Sequence, residues 1–431
     1  MLTVSQAINL ILSETHAGLN ESVSVGAALN RVLSSPVLTP HDSPLFDKSL
    51  MDGFAVNSAS LLTAQVSDGT ISGERTLGDS VSLNVCETLT AGTHSEKWLS
   101  EGQAVRVMTG TAIPPGADCV VPFEQVTVFP IEREVDQIDR EVVSIPRRAI
   151  SKGNCVLRRG QSARSGDVLL TAGVRLYAQH LAALAEFGIP EIQARRLPRC
   201  AVLATGDELV EYTQNPGPGR IRNSNEPMLL GQLRQNYAEP LGLGIARDDH
   251  DVLRSGIQQG LKCDFLILTG GVSVGIRDLV PAELNAAGVR KVFHGVHMKP
   301  GKPLWFGVYE KGDHRCCVFG LPGNPVSALA CFELFVRPAL RKFSGICNPD
   351  PLPMKAILME PYQVRGDRPV YHPVKIEAGD QGLTVRPLRW IGSADLRATV
   401  DANGMALFEP CGSPIATGTC VSVWLWAGLN E

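Results

Sequence analysis

Two lysines stand three positions apart in "HMKPGKPLWFG" (297–307), with only a proline and a glycine between Lys299 and Lys302. Two ammonium groups on a turn stiffened by proline can hold a small dianion or a phosphate, and the proline lowers the cost of ordering them. A solvated turn is the other reading, but the segment runs straight into an apolar strand pattern. Five acids lie in other loops: Asp207, Glu208, Asp248, Asp249 and Asp278. Such carboxylates serve as helix caps and first-turn charges, and one of Asp248 and Asp249 is expected to do so. They are also hard oxygen donors of the kind that Mg²⁺ shares with substrate phosphates and water. A third element is "LILTGGVSVGIRD" (266–278), an apolar run that stops at Gly270 and Gly271, with Ser273 and Asp278 beyond. Small residues there bring backbone N–H groups close together for a phosphate. The stretch has neither the Gly-Lys-Ser/Thr ending of a P-loop nor the glycine spacing of a dinucleotide site, so alone it is a strand-to-helix turn. Glycine loop, paired lysines and several acids together point to metal-assisted cleavage of a phosphoanhydride.

The elements that must position these groups follow from periodicity. "CAVLATGDEL", "LGLGIARDD" and "CDFLILTGG" read as strands, each followed by a helical stretch: "NEPMLLGQLRQN", "HDVLRSGIQQGL" and "LVPAELNAAG". Further apolar runs at "PLWFGVY" and "CCVFGLPG" precede the helical "NPVSALACFELFVRPALRKFSG". This alternation, from Cys200 to about Gly345, predicts an α/β domain on a parallel sheet. Ligands of open α/β sheets bind beyond the carboxyl ends of the strands. That edge would carry Thr205 to Glu208, Asp248 and Asp249, Thr269 to Asp278, and Gly320 to Asn324 through Pro322. Asn324 before Pro325 reads as an N-cap and first-turn proline, with the helix's free amides on the same edge.

Around this core, residues 40 to 175 are rich in Val, Thr, Gly and Pro, with short alternating runs such as "AVRVMTG", "CVVPFEQVTV" and "EVVSIP", which predict a β-rich region. On spacing alone Asp52 and Thr109 in this region are turn formers. An amphipathic helix is expected from about Ser5, another over "RLYAQHLAALAEFGIPEI" (175–192), and a small β domain after the proline-punctuated "CNPDPLP" (347–353).

The chain has 431 residues, too many for one core, with 44% hydrophobic and 19% charged residues. Its formal net charge of −4 gives no general reason to expect nucleic acid, so any anion site is local. Eleven cysteines without a CxxC pair or zinc spacing argue for a reducing compartment. Cys316 and Cys317 read as core residues, and His41, His294, His297, His314 and His372 as surface or satisfied core histidines. No membrane segment is expected, and the cytoplasm is the expected location.

These stretches in this order resemble the molybdopterin molybdenumtransferase family, the MoeA and gephyrin E-domain proteins. The matching segments are "FDKSLMDGFAV", "VRVMTGTAIPPGADCVVPFEQV", "LATGDEL", "RIRNSNEPML", "TGGVSVGIRD", "MKPGKPLWFG", "FGLPGNPVSA" and, more weakly, "GDRPVYHPV…IGSADL…ANG", which span nearly the whole chain. The resemblance implies an elongated homodimer of multidomain α/β plus β subunits. Its spans would be 1–50 with 148–190 (N-terminal helix and linker), 51–147 (β-rich), 191–346 (a MogA-like molybdopterin-binding α/β domain) and 347–431 (a β-barrel-like domain). It implies Mg²⁺-dependent insertion of molybdate into adenylylated molybdopterin, with release of AMP and molybdenum cofactor. A MogA-like adenylyltransferase and molybdoenzymes or cofactor carriers are the implied partners.

Carried over by residue, the resemblance places Asp278, Asp249 and Glu208 at a catalytic metal end, with Ser273, Thr205, Gly270, Gly271, Pro322 and Asn324 around the substrate. Lys299, Lys302, Arg368 and Ser393 are implied for molybdate and phosphate, and Asp52 and Thr109 as the neighbouring subunit's catalytic contribution. Three departures lower the negative charge: Gln161 and Ser162 stand where the family has Glu-Asp, and Asn223 where it has an aspartate. They leave open a second class of function, a non-catalytic homologue that binds molybdopterin or acts as a scaffold.

Overall fold

The computed structural model describes residues 1–63, 80–130, 141–247, 249–272, 279–350, 352–380 and 382–426. By internal contacts the chain forms two compact units, one of Met1–Ser35, Thr171–Ala182 and Pro190–Glu431, the other of Pro36–Leu170 and Ala183–Ile189.

The first unit is built on a six-stranded sheet: β1 (Arg199–Thr205), β2 (Glu239–Ala246), β3 (Phe265–Thr269), β4 (Arg290–His294), β5 (Trp305–Lys311) and β6 (His314–Leu321). Its spatial order is β2-β1-β3-β6-β5-β4. The register aligns Thr205 with Ala246, Ala204 with Thr269, and Thr269 with Leu321, so four parallel strands end together and their following loops share one edge. Helices α1 (Asn225–Gln235), α2 (His250–Gly260), α3 (Val280–Ala286) and α4 (Pro325–Cys331) follow β2's predecessor β1, then β2, β3 and β6, as the alternation predicts.

Side-chain alternation explains why both faces are covered. Val202, Phe265, Ile267, Phe306 and Phe319 pack on one side with Leu229 and Leu233 of α1, Phe332, and Ala7 and Ile11 of the N-terminal helix. Leu203, Leu266, Leu268 and Val318 pack on the other with Leu253 and Ile257 of α2 and Val280 and Leu284 of α3. Strands buried on both faces read as continuous apolar runs, which is what the sequence shows. Cys316 and Cys317 are both buried on β6, as core residues.

The sheet departs from the all-parallel expectation at β5, which runs antiparallel to both of its neighbours, β6 and β4. β5 and β6 form a hairpin closed by Gly312 and Asp313, with Lys311 opposite His314 and Gly312 at φ 59°. A two-residue Gly-Asp loop between apolar runs is a hairpin signal, and there is no room for a crossover.

The N-terminal helix Val4–Glu14 starts at Thr3, which accepts from the Gln6 amide while the Gln6 side chain returns to the Thr3 amide. At the other end of this unit, Met354–Leu358, Val370–Gly379, Gly382–Pro387, Gly404–Phe408 and Cys420–Leu425 close a five-stranded barrel filled by Val374, Val385, Phe408 and Val423.

In that barrel His372 is buried, its Nε2 2.7 Å from the Leu388 carbonyl and its Nδ1 2.9 Å from the Tyr362 hydroxyl. Leu388 can only accept, so Nε2 carries the proton and Nδ1 accepts from Tyr362. Burial pushes the imidazole down to about 4. Because the folded value lies below the ordinary 6.5, the neutral form stabilises the fold fully above that value, and this stability is lost as pH falls toward 4. Between pH 7 and pH 5 the loss is about 2 kcal/mol. Denaturant unfolding at the two pH values should show it, and His372→Gln should flatten the dependence.

The second unit carries the expected β-rich region. Its six-stranded sheet has the order Cys119–Pro122, Gly53–Val56, Gln103–Val107, Ser80–Leu89, Glu141–Pro146, Thr127–Pro130. Neighbours are antiparallel except Ser80–Leu89 with Gln103–Val107. Phe54, Leu83, Val121, Val143 and Ile145 form its core. A Cβ on Gly53 would lie 2.2 Å from the Val121 carbonyl oxygen, so only glycine lets these strands approach where Asp52 leads in.

Candidate functional site

The carboxyl edge of the parallel strands is walled by small residues held at close range. Gly270 has φ 89° and Gly271 φ 61°, a region that glycine enters without strain. A Cβ on Gly270 would come within 2.4 Å of the Thr205 carbonyl oxygen, and one on Gly271 within 3.0 Å of Thr205 Oγ1. Thr205 itself is buried and donates its hydroxyl to the Thr269 carbonyl at 3.2 Å, tying β1 to β3. A Cβ on Gly323 would lie 3.5 Å from Gly270 Cα, which brings the loop after β6 against the loop after β3. The Gly270 amide is spent on the Leu321 carbonyl at 3.1 Å. That amide is therefore not available to a phosphate. Ser273 and Asp278, together with Asp248, lie outside the described residues.

Of the five acids, Asp207, Glu208 and Asp249 are described on this edge. Glu208 follows β1, and its oxygens occupy the space that a Cβ on Gly206 would fill, 2.5 Å from that position. Asp249 fulfils the helix-cap expectation: its Oδ1 accepts from the amides of Asp251 and Val252, each at 3.0 Å, at the start of α2. Its Oδ2 makes no hydrogen bond among the described residues. Asp249→Ala should therefore cost about 1 kcal/mol of stability, and Asp249→Ser, which keeps a capping oxygen, most of that less. Thermal unfolding of the two variants measures the difference.

The lysine loop is anchored by the barrel in a way the sequence did not signal. Lys299 donates its amide to the Pro369 carbonyl at 2.8 Å and accepts from the Tyr371 amide at 2.7 Å, a parallel bridge to Val370. Arg368 donates Nη1 to the Met298 carbonyl at 3.0 Å, and its other N–H groups are unused among the described residues. Lys302 is exposed and its side chain has no hydrogen bond or ion pair there.

A second barrel loop reaches the same edge. Asn324 donates its side-chain amide to Ser393 Oγ at 2.9 Å, leaving the Ser393 hydroxyl proton free to be given elsewhere. Val326 donates its amide to the Ser393 carbonyl at 3.1 Å, so the first turn of α4 is partly satisfied by this loop instead of wholly open. Asn225, which sequence reasoning passed over, donates to the Gly323 carbonyl at 2.7 Å and fixes the loop containing Pro322. Its signal was present in "NSNEP", an asparagine at a helix start. Thus Thr205, Gly270, Gly271, Pro322 and Asn324 share one edge, Ser393 is bonded to it through Asn324 and Val326, and Lys299 and Arg368 are tied to each other's segments.

In the other unit, Asp52 Oδ1 accepts from both the amide and the hydroxyl of Thr109, each at 2.7 Å. The Thr109 amide, then its hydroxyl, holds the Asp52 carboxyl below its ordinary value, so an exposed anion is kept on this turn. The pair braces two turns, as spacing predicts, and also presents charge to solvent.

The positions that depart from the resemblance are locally satisfied. Asn223 is buried, donates to Glu226 Oε2 at 3.0 Å and accepts from the Glu226 amide at 3.2 Å. An aspartate there would oppose the Glu226 carboxylate, which the amide instead hydrogen-bonds. Gln161 accepts from the Arg158 amide at 2.9 Å in a turn. Among the described residues no three His, Cys, Asp or Glu side chains gather as a metal cluster, and no helix is long and apolar enough to cross a membrane.

Comparison with known proteins covers the whole chain. Residues 2–188 match the family described as MoeA N-terminal region (domain I and II), 201–342 the probable molybdopterin binding domain, and 355–426 the MoeA C-terminal region (domain IV). A molybdopterin molybdenumtransferase of Staphylococcus aureus is 34% identical over 418 residues, 96% of this chain and 92% of that protein. One of Staphylococcus epidermidis is 31% identical over 428 residues, 98% and 95% of the two chains. Among solved structures, a molybdopterin biosynthesis MoeA protein of Pyrococcus horikoshii superposes with a TM-score of 0.79 at 28% identity, over 99% of this chain and 100% of that one.

Proposed function

The chain belongs to the molybdopterin molybdenumtransferase (MoeA) family, and from that premise we propose that it inserts molybdate into adenylylated molybdopterin and releases AMP. The observation that carries this reading is that barrel segments are bonded both to the glycine-walled strand edge, through Ser393, and to the lysine loop, through Arg368 and the Lys299 main chain. A tetrahedral oxodianion needs positive charge and hydroxyl or N–H donors, and those three residues with Lys302 supply both. Glycines at 270, 271 and 323 offer backbone that a pterin phosphate can approach closely. Cleavage of the phosphoanhydride by water would free AMP and leave the pterin phosphate.

The donor chemistry of Glu208 and of the unused Asp249 Oδ2 is that of hard oxygen, which fits Mg²⁺ when substrate phosphates complete the coordination. Such an ion would neutralise charge on the phosphoanhydride. Asp278 and Ser273 belong to this proposal from sequence alone. So do a homodimer in which Asp52 and Thr109 serve the neighbouring subunit's site, a cytoplasmic location, a MogA-like adenylyltransferase upstream, and molybdoenzymes or carriers downstream.

Purified protein given adenylylated molybdopterin, molybdate and Mg²⁺ should release AMP, and Asp249→Ser should lose most of that release while keeping its fold. AMP at background would reject the enzyme. The second reading, a non-catalytic binder or scaffold, rests on Gln161, Ser162 and Asn223, and tight pterin binding without AMP release would establish it.

A further inference from the structure

Lys299, like Arg175 over the Tyr237 ring, is held differently from the ion-paired arginines of its unit. Among the described residues, Arg196, Arg254, Arg290, Arg315 and Arg337 each meet a carboxylate. The Lys299 ammonium meets none, and stands instead over the Trp390 ring, 6.0 Å from its centroid. Trp390 is in turn set edge-on to His372, with ring centroids 5.2 Å apart and planes at 85°. His372 cannot rotate without breaking its bonds to Tyr362 and Leu388. The buried indole Nε1 has no acceptor among the described residues, so Trp390 acts through its face and not through its N–H.

The chemistry of that choice matters. A carboxylate beside Lys299 would neutralise the ammonium and compete with an arriving anion. An aromatic face attracts the cation through its quadrupole while leaving the full charge and the three N–H donors for a ligand. With the Lys299 main chain clamped between Pro369 and Tyr371, only the side-chain torsions remain free, and the indole limits where they carry the ammonium. We propose that Trp390, fixed by His372, is a positioning residue that pre-sets the Lys299 ammonium for a small tetrahedral oxodianion. Lys302, exposed and unheld, attracts the same anion without a pre-set place. The inference rests on the reading that Lys299 receives molybdate.

The test is molybdate binding to the full chain by equilibrium dialysis, together with molybdate-dependent AMP release. Trp390→Leu should raise the molybdate Kd and KM about fivefold, with kcat within about twofold, and Trp390→Phe about twofold. In a Lys299→Ala background, itself weakened about tenfold, Trp390→Leu should change the Kd by less than about 1.5-fold. An equal loss in both backgrounds would mean a merely structural role and would overturn the proposal. So would an unchanged KM in Trp390→Leu, or, should that variant not fold, an unchanged KM in Trp390→Phe. Wild-type protein that binds molybdate through Lys299 but ignores Trp390 overturns this proposal alone. Wild-type protein that neither binds molybdate nor releases AMP overturns the functional reading with it.

Discussion

Lys302→Ala is expected to reduce molybdate-dependent AMP release at least about a hundredfold while leaving the unfolding midpoint within about 1 °C of wild type. The two halves of this expectation have separate causes. The Lys302 side chain is exposed and has no hydrogen bond or ion pair among the described residues, so its removal costs the fold little. An ammonium that meets a dianion at the edge of a partly desolvated site is worth several kcal/mol of transition-state stabilisation, and about 2.7 kcal/mol is a hundredfold in rate. Steady-state AMP release and a thermal melt decide it together. A variant with wild-type turnover would remove Lys302 from the site, and Lys302→Arg should recover only part of the rate because its planar fork replaces a compact charge.

Gly270→Ala should act in the opposite way, through the backbone. The residue sits at φ 89°, and the added methyl would lie 2.4 Å from the Thr205 carbonyl oxygen, a main-chain atom that cannot swing aside. Relief requires β1 and β3 to part, which would strain the Thr205 to Thr269 hydrogen bond and the Gly270 to Leu321 bond. The expected cost is about 2–4 kcal/mol, with loss of pterin binding in whatever protein remains folded. Denaturant unfolding and a pterin-binding titration measure the two effects. Gly219→Ala is the control for φ alone, since Gly219 has φ 74° with nothing within 4 Å of its absent Cβ. It should cost about 1 kcal/mol and leave binding intact.

The α/β unit was readable in the chain because its signals are local. Runs such as "FLILT" between helical stretches give strand and helix by period, and Gly270 and Gly271 at the end of one of them mark the edge. Cys316 and Cys317 were rightly read as core residues, since apolar neighbours bury them, and of the two readings left open for His372 the structure shows the satisfied core one. The antiparallel turn of β5 into β6 was signalled only by Gly312 and Asp313, a two-residue cue easily outweighed by the alternation around it. What could not be read was the clamp on Lys299. Pro369 and Tyr371 lie some seventy residues away in a barrel, and no periodicity links positions that far apart. Asp249 shows a different limit, for residue type cannot distinguish a helix cap from a metal donor, and the structure shows one of its oxygens in the first role. Trp390 was invisible because an aromatic in a short β pattern reads as core.

The central claim is that the lysine loop and the glycine-walled edge together perform molybdate insertion. It is tested most directly by following AMP release and molybdenum cofactor in one reaction, with molybdate added last to protein already loaded with adenylylated molybdopterin and Mg²⁺. AMP should appear on molybdate addition, one molecule for each molecule of cofactor able to activate a cofactor-free molybdoenzyme. AMP that stays bound in the adenylate after molybdate is added, with no active cofactor formed, would contradict it.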